Sequence, residues 1–194
     1  MYYRFSQTYT IMKTLKAALL LLVAFVFLCC QGKSDIKGNT GMEKPQVKNP
    51  YYSRTDTTVL TVPDSEWRKV LPEDVYNVAR NKSTERAYTG KYWDQTGKGT
   101  YYCAACGNKL FRSDAWFASG CGWPSFFEPS RKNAVTYEED SSYGMHRVEV
   151  LCGRCGAHLG HVFDDGPAPT YKRFCMNSIV LDFEPDGKDK ASDR

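Results

Sequence analysis

Histidine is scarce in this 194-residue chain: there are three, and two of them stand three positions apart. The sequence has no glycine-rich phosphate loop, which excludes nucleotide cradling of the familiar kinds. It has no internal repeat beyond one pair of cysteine knuckles. A basic stripe is missing too. The net charge is +4, but residues 1–56 carry 8 Lys/Arg against 3 Asp/Glu, while residues 57–184 carry 15 against 16. The excess therefore belongs to the N-terminal end, nothing in the remainder would track phosphates, and no nucleic-acid partner is expected. Long apolar runs are also lacking. The longest, Ala17 to Cys30, falls short of the roughly 20 residues of an easy transmembrane helix and has the length of a signal-peptide apolar core.

Lys13 and Lys16 precede that run, and Leu28-Cys29-Cys30-Gln31-Gly32 ends it. An export signal ending in cysteine resembles a bacterial lipoprotein leader, whose cysteine is lipidated and becomes the mature N-terminus. Cys30 is the expected site, because the small Cys29 would precede the cut. That pattern favours Gly, Ala or Ser before the cut, so Cys29 is a departure, and Met12 begins a more typical leader than Met1. The expected organisation is a leader over 1–30, a flexible tether over 31–58 rich in Lys, Gly, Asn, Thr and Pro, and one domain over 59–184. A charged, disordered tail over 185–194 follows. Export and a lipid anchor would place the domain at a membrane in the periplasm or cell envelope, and nothing requires more than a monomer.

Cysteine carries most of the chemistry. Cys103-Ala104-Ala105-Cys106 and Cys152-Gly153-Arg154-Cys155 are matching frames, each followed by a glycine, Gly107 or Gly156, able to take the positive φ of a tight knuckle. Paired C-x2-C knuckles are a frequent signature of tetrahedral, structural zinc. Two disulfides, or iron held as in rubredoxin, are the rival readings. About 45 residues separate the frames, so a shared ion would join distant parts of the chain and stabilise the fold.

Two lone thiols remain in the same region. Cys175 lies in Arg173-Phe174-Cys175-Met176-Asn177-Ser178. On a strand from Tyr171 to Val180, Arg173, Cys175 and Asn177 share one face, and a nearby Arg173 would favour the thiolate. The bland alternative is a small buried core residue. Cys121 sits between Gly120 and Gly122, beside Trp123-Pro124; such flanks suit a thiol that travels, although a buried thiol fits as well. Trp123 is either core or an apolar wall for a methyl group. His158 and His161 lie in His158-Leu159-Gly160-His161-Val162-Phe163-Asp164-Asp165. They are candidate proton donors if the four paired sulfurs already complete a metal site; otherwise they are core residues or further ligands.

Coarse patterning gives two short helices, from Pro63-Asp64 (Asp64 a candidate cap) and from Pro72-Glu73, followed by strands. These strands are expected at Thr100–Tyr102, Lys109–Phe111, Ala134–Tyr137, His146–Leu151 and Arg173–Phe183. That order suggests an α+β domain dominated by antiparallel sheet.

Taken together, the Gly120–Phe126, His158–Phe163 and Arg173–Ser178 segments and both cysteine pairs, in this order, resemble methionine sulfoxide reductases of type B (MsrB) from about Trp67 to Phe183. The resemblance implies a mainly β fold of two antiparallel sheets with short N-terminal helices and one zinc. It implies reduction of methionine R-sulfoxide in proteins and peptides, with Cys175 as nucleophile, His161 as acid and His158 assisting. Cys121 would resolve the Cys175 sulfenic acid as a disulfide, which a thioredoxin-like protein reduces. Trp123 would hold the substrate methyl, and Asn177, Asp165, Arg173 and Phe163 would complete the pocket. A zinc-stapled binding module without catalysis, and a thiol-disulfide oxidoreductase using a C-x-x-C pair, are the competing expectations.

Overall fold

The computed structural model describes residues 48–187. The leader with Cys30, most of the tether and the tail from residue 188 lie outside the described residues. Among those described, no helix is long and apolar enough to cross a membrane.

Two helices open the domain, α1 (Asp64–Val70) and α2 (Glu73–Ala79). Each follows a proline, Pro63 or Pro72, that occupies the cap position without a side-chain cap bond. Asp64 is thus not the cap: it is the first helical residue, and its carboxylate lies 2.7 Å from Arg80 Nε. Acidic residues in both first turns suit the positive end of the helix dipole.

Eight strands follow: β1 (Gly99–Cys103), β2 (Lys109–Arg112), β3 (Ser125–Phe126), β4 (Val135–Asp140), β5 (Arg147–Cys152), β6 (His158–Phe163), β7 (Arg173–Met176) and β8 (Leu181–Pro185). They form two antiparallel sheets, β2-β1-β8 and β3-β7-β6-β5-β4. The expected fold class holds. An aromatic seam joins the sheets: Phe111 of β2 stacks on Phe126 of β3 at 4.4 Å, Tyr101 of β1 meets Phe126 edge-on at 4.9 Å, and Phe111 reaches Phe174 of β7. Such pairs add to the area they bury and fix how the sheets face.

The expected strand over Arg173–Phe183 divides in two. It ends as β7 at Met176, turns through a short 3-10 segment at Ser178–Val180, and enters the other sheet as β8 beside β1. Glu85 makes the break possible, because its carboxylate accepts the N–H groups of Ser178 (2.6 Å) and Ile179 (2.9 Å). Those donors would otherwise be unpaired in a crossover between sheets. The central strand β6 was not among the expected strands.

The expected boundaries also shift. Within the supposed tether, Asn49 Nδ2 donates to the Ala105 carbonyl, Ser53 N to that of Cys106, and Tyr51 packs edge-on against the core residue Trp67 at 5.0 Å. The domain therefore begins by Asn49. At the other end, Pro185 closes β8 and Asp186 receives a two-bond ion pair from Arg112, so residues 185 and 186 belong to the domain and not to the tail.

Candidate active site and metal centre

Strand register builds the site. Across the five-stranded sheet, Ser125, Cys175, His161, Glu149 and Glu138 are successive cross-strand partners, one from each strand. Directly opposite residues share a face, so this row crosses one side of the sheet. Phe174 and Met176 point into the core on the other side.

Cys121 reaches that row from a loop. Gly120 and Gly122 adopt φ of 72° and 90°, a conformation costly for other residues, and turn the Cys121 Sγ back to 3.4 Å from Cys175 Sγ. The two thiols are unbonded yet one short movement from a disulfide. Burial pushes the Cys175 thiol up to about 12, and the neighbouring Cys121 adds to this. Burial would raise Cys121 too, but the Ser119 and Ser125 hydroxyls and the Cys175 thiol outweigh it and bring Cys121 down to about 7. Of the two thiols, Cys121 is thus the one that ionises more readily. Arg173 does favour the Cys175 thiolate, as expected, but burial and the neighbouring Cys121 outweigh its pull. Its guanidinium is committed to Asp165 through two bonds of 2.8 Å and lies 4.4 Å over the Phe163 ring.

Asn177 does not share the exposed face either. It is buried beyond the end of β7, donating to the Leu159 carbonyl (3.1 Å) and accepting from Glu85 N (3.1 Å), and so it anchors the strand end beside Cys175. Trp123 is half-buried, and its indole N–H donates to the Glu85 carbonyl at 3.2 Å.

His161 is the neighbour of Cys175 in register, and its Nε2 lies 2.7 Å from Asp140, which also binds Arg147. His158 is deeper. Its Nδ1 lies 2.6 Å from Glu149, whose other oxygen takes Lys82 at 2.7 Å. A carboxylate accepts only, so Nδ1 carries the proton, and buried Nε2 has no protein partner. The rings meet edge to face at 5.5 Å and form one wall of a cavity of about 630 Å³ with exposed Tyr143 and Met145 on its rim.

Burial holds His158 below the usual imidazole range, against the pull of Glu149. The folded domain then binds fewer protons at this ring than the unfolded chain, and stability is lost as pH falls below about 6.5. The drop in thermal midpoint between pH 7.5 and 5.5 should be smaller for His158→Gln than for the wild type. An equal drop would show that His158 contributes nothing to the acid response.

Sequence reasoning missed Ser119, Ser125, Glu85, Glu149 and Asp140. The two serines flank Cys121 within a few residues and could have been found by proximity. Glu149 was legible only as an acid alternating with Val148 and Val150. Glu85 and Asp140 lie far from the cysteines in sequence, and nothing local marks them.

The remaining four cysteines cluster apart from this row. All are buried, and their sulfurs lie within 4.8 Å of one another, with Cys103–Cys155 at 3.8 Å and Cys106–Cys152 at 3.6 Å. Four thiolates at about 2.3 Å from a tetrahedral zinc stand roughly 3.8 Å apart, so the donor set and spacing fit that ion. Both distances far exceed the ~2.05 Å of a disulfide. Gly107 and Gly156 take φ of 76° and 67°, as the knuckles require. Since Cys103 ends β1 and Cys152 ends β5, the cluster ties the two sheets together.

A mainly β domain with a dithiol facing a histidine on one sheet, and a four-sulfur cluster joining the sheets, defines a thiol-based redox protein. The comparisons narrow this. A family model described as the SelR domain matches residues 71–185. The peptide methionine sulfoxide reductase MsrB of Methanosarcina barkeri (strain Fusaro / DSM 804) is 51% identical over 130 residues, 67% of this chain and 92% of the relative. That of Agrobacterium fabrum is 52% identical over 122 residues, covering 63% and 90%, and that of Bradyrhizobium diazoefficiens is 53% identical over 135 residues, covering 69% and 97%. The chain belongs to the SelR-domain family of MsrB methionine sulfoxide reductases.

Proposed function

We infer that this chain is a peptide-methionine (R)-S-oxide reductase, and that it works through a sulfenic acid on Cys175 and a Cys121–Cys175 disulfide. The observation that carries the reading is the 3.4 Å approach of the two sulfurs on a sheet where His161 is the cross-strand partner of Cys175.

Substrate enters with its methyl group against Trp123 and its sulfoxide oxygen toward His161 and His158. Cys175 attacks the sulfoxide sulfur as thiolate, its proton replacing the one that His161 gives to the oxygen. Oxygen moves to Cys175, and methionine leaves as the neutral thioether. Cys121 then displaces the hydroxyl of the Cys175 sulfenic acid, which departs as water, and the disulfide forms. A thioredoxin-like dithiol reduces it by exchange. Arg173, Asp165 and Phe163 hold one edge of the pocket and Asn177 the strand end. The four-cysteine cluster would hold one zinc, which with four thiolates has no open position and supplies structure only.

The test uses dithiothreitol and separated epimers of a blocked methionine sulfoxide. Consumption of the R-epimer alone supports the assignment. Turnover of neither epimer by the folded, zinc-loaded protein would overturn it.

The leader supports an exported enzyme anchored at Cys30, repairing oxidised methionines in envelope proteins. Mass spectrometry of the mature protein decides this placement: an N-terminus still carrying Met1 or Met12 would overturn it.

A further inference from the structure

Ser119 and Ser125 have no part in the oxygen-transfer half of the reaction, yet both surround the second thiol. Ser119 Oγ lies 3.0 Å from Cys121 Sγ and 2.7 Å from Ser125 Oγ, and it accepts the Cys121 N–H at 3.4 Å. Ser125 is fully buried, with its Oγ 3.5 Å from the same sulfur. A hydroxyl has one proton to give. If Ser119 gives its proton to the sulfur, its lone pairs accept from Ser125 and from the Cys121 N–H. Ser125 Oγ lies 2.7 Å from Ser119 Oγ and 3.3 Å from the Trp123 carbonyl; when it gives its proton to the nearer Ser119, every bond runs one way, from Ser125 to Ser119 to Cys121 Sγ, and such a chain is strengthened by each member.

We propose that Ser119 is a catalytic residue of the recycling step: its hydroxyl stabilises the Cys121 thiolate that attacks the Cys175 sulfenic acid. The proposal rests on the reading of Cys121 as the resolving thiol. In that step the Cys121 sulfur–Cys175 sulfur bond forms and the Cys175 sulfur–oxygen bond breaks. The Cys121 sulfur is oxidised as the sulfenic sulfur is reduced, and the departing hydroxide takes up the proton that Cys121 lost on ionising and leaves as water.

Other groups facing Cys121 do not supply this stabilisation. Cys175 can give its thiol proton in the reduced state, but as a sulfenic acid its one proton sits on the oxygen that departs. Arg173, the cation near both sulfurs, is ion-paired to Asp165. Tyr88 donates to the Gly120 carbonyl at 2.6 Å, and the Glu85 carboxylate is occupied by two backbone N–H groups. The lowered proton affinity of Cys121, despite its burial, agrees with a hydroxyl aimed at the sulfur.

Loss of one hydrogen bond to a charged group costs about tenfold in the ionisation constant, or about one unit. The effect on rate changes sign with pH. A thiolate of higher proton affinity is scarcer at low pH but intrinsically more nucleophilic, with a Brønsted slope of about 0.4–0.5. Ser119→Ala should therefore form the disulfide about threefold more slowly than wild type at pH 6 and about threefold faster at pH 9, where Cys121 is ionised in both proteins. A residue that merely braced the loop would slow the step at both.

The experiment follows a single turnover of the full chain by rapid quench, scoring methionine release and disulfide separately at pH 6 and pH 9. Unchanged methionine release with a disulfide rate that crosses over supports the proposal. Equal slowing at both pH values, or no change, overturns it while leaving Cys121 as the resolving thiol. Normal recycling by Cys121→Ser would instead remove the reading on which the proposal rests. Should Ser119→Ala fail to fold, alkylation of Cys121 by iodoacetamide across pH in Ser125→Ala reads the same chain of bonds. A higher midpoint supports the relay, and an unchanged one overturns it.

Discussion

Cys175→Ser is expected to reduce turnover of the R-sulfoxide by on the order of 10³-fold or more while leaving the fold intact, as removal of a catalytic nucleophile does elsewhere. A serine hydroxyl at neutral pH is a far weaker nucleophile than a thiol, and nothing here activates it. The Ser125–Ser119 chain is directed at Cys121, and His161 is held by Asp140. The substitution itself is small, and Cys175 faces away from the aromatic seam, so stability should hardly change. Cys121→Ser separates the two halves of the cycle. It should release about one methionine per chain and then stall with thioredoxin as reductant, leaving Cys175 as a sulfenic acid that a carbon-acid probe such as dimedone captures as a mass increase. Rapid-quench measurement of methionine, with mass spectrometry of the protein, checks both. Steady turnover by Cys175→Ser would move the chemistry to another group.

Removing the zinc proposed for the four-cysteine cluster should unfold the domain. The four sulfurs close a loop of about 45 residues between Cys106 and Cys152 and tie the end of β1 to the end of β5. Structural zinc contributes about 10 kcal/mol or more of apparent folding free energy in small sites. A domain of this size has a total stability of only about 5–15 kcal/mol. Cys106→Ser, or stripping with a strong chelator, should lower the thermal midpoint by tens of degrees or abolish the cooperative transition, with release of one zinc per chain. Acid should do the same, because the ligands must be thiolates. Circular dichroism with metal analysis tests this. A zinc-free protein that melts like the wild type would mean that the aromatic seam and the residues around Asn49 suffice.

The residues proposed to carry the chemistry stood out in the sequence because their local patterns are self-contained. A C-x2-C-Gly knuckle is complete within five residues, and Gly107 and Gly156 have the positive φ that the frame calls for. The alternation of Phe174 and Met176 against Cys175 and Arg173 was equally local, and the structure keeps it. Element boundaries were not legible in this way. The run from Arg173 to Phe183 reads as one strand because both halves are rich in β-forming residues. Only Glu85, nearly a hundred positions away in sequence, supplies the acceptors that let the chain leave one sheet for the other. Strand β6 escaped notice because Gly160 and two histidines interrupt the usual pattern, although it lies between β7 and β5 in the sheet.

What the sequence by itself determined is which atoms are available: the domain's six thiols, of the chain's eight, sorted four and two, a pair of histidines, and the turns that the knuckle glycines allow. The tertiary structure decided which thiol ionises more readily. Arg173 stands two residues from Cys175 and still pulls toward the thiolate, but folding buries Cys175 and that burial outweighs the pull. The same folding brings two serines onto Cys121. Proton affinity depends on burial and on hydrogen bonds made in space, and neither is written in the order of neighbouring residues.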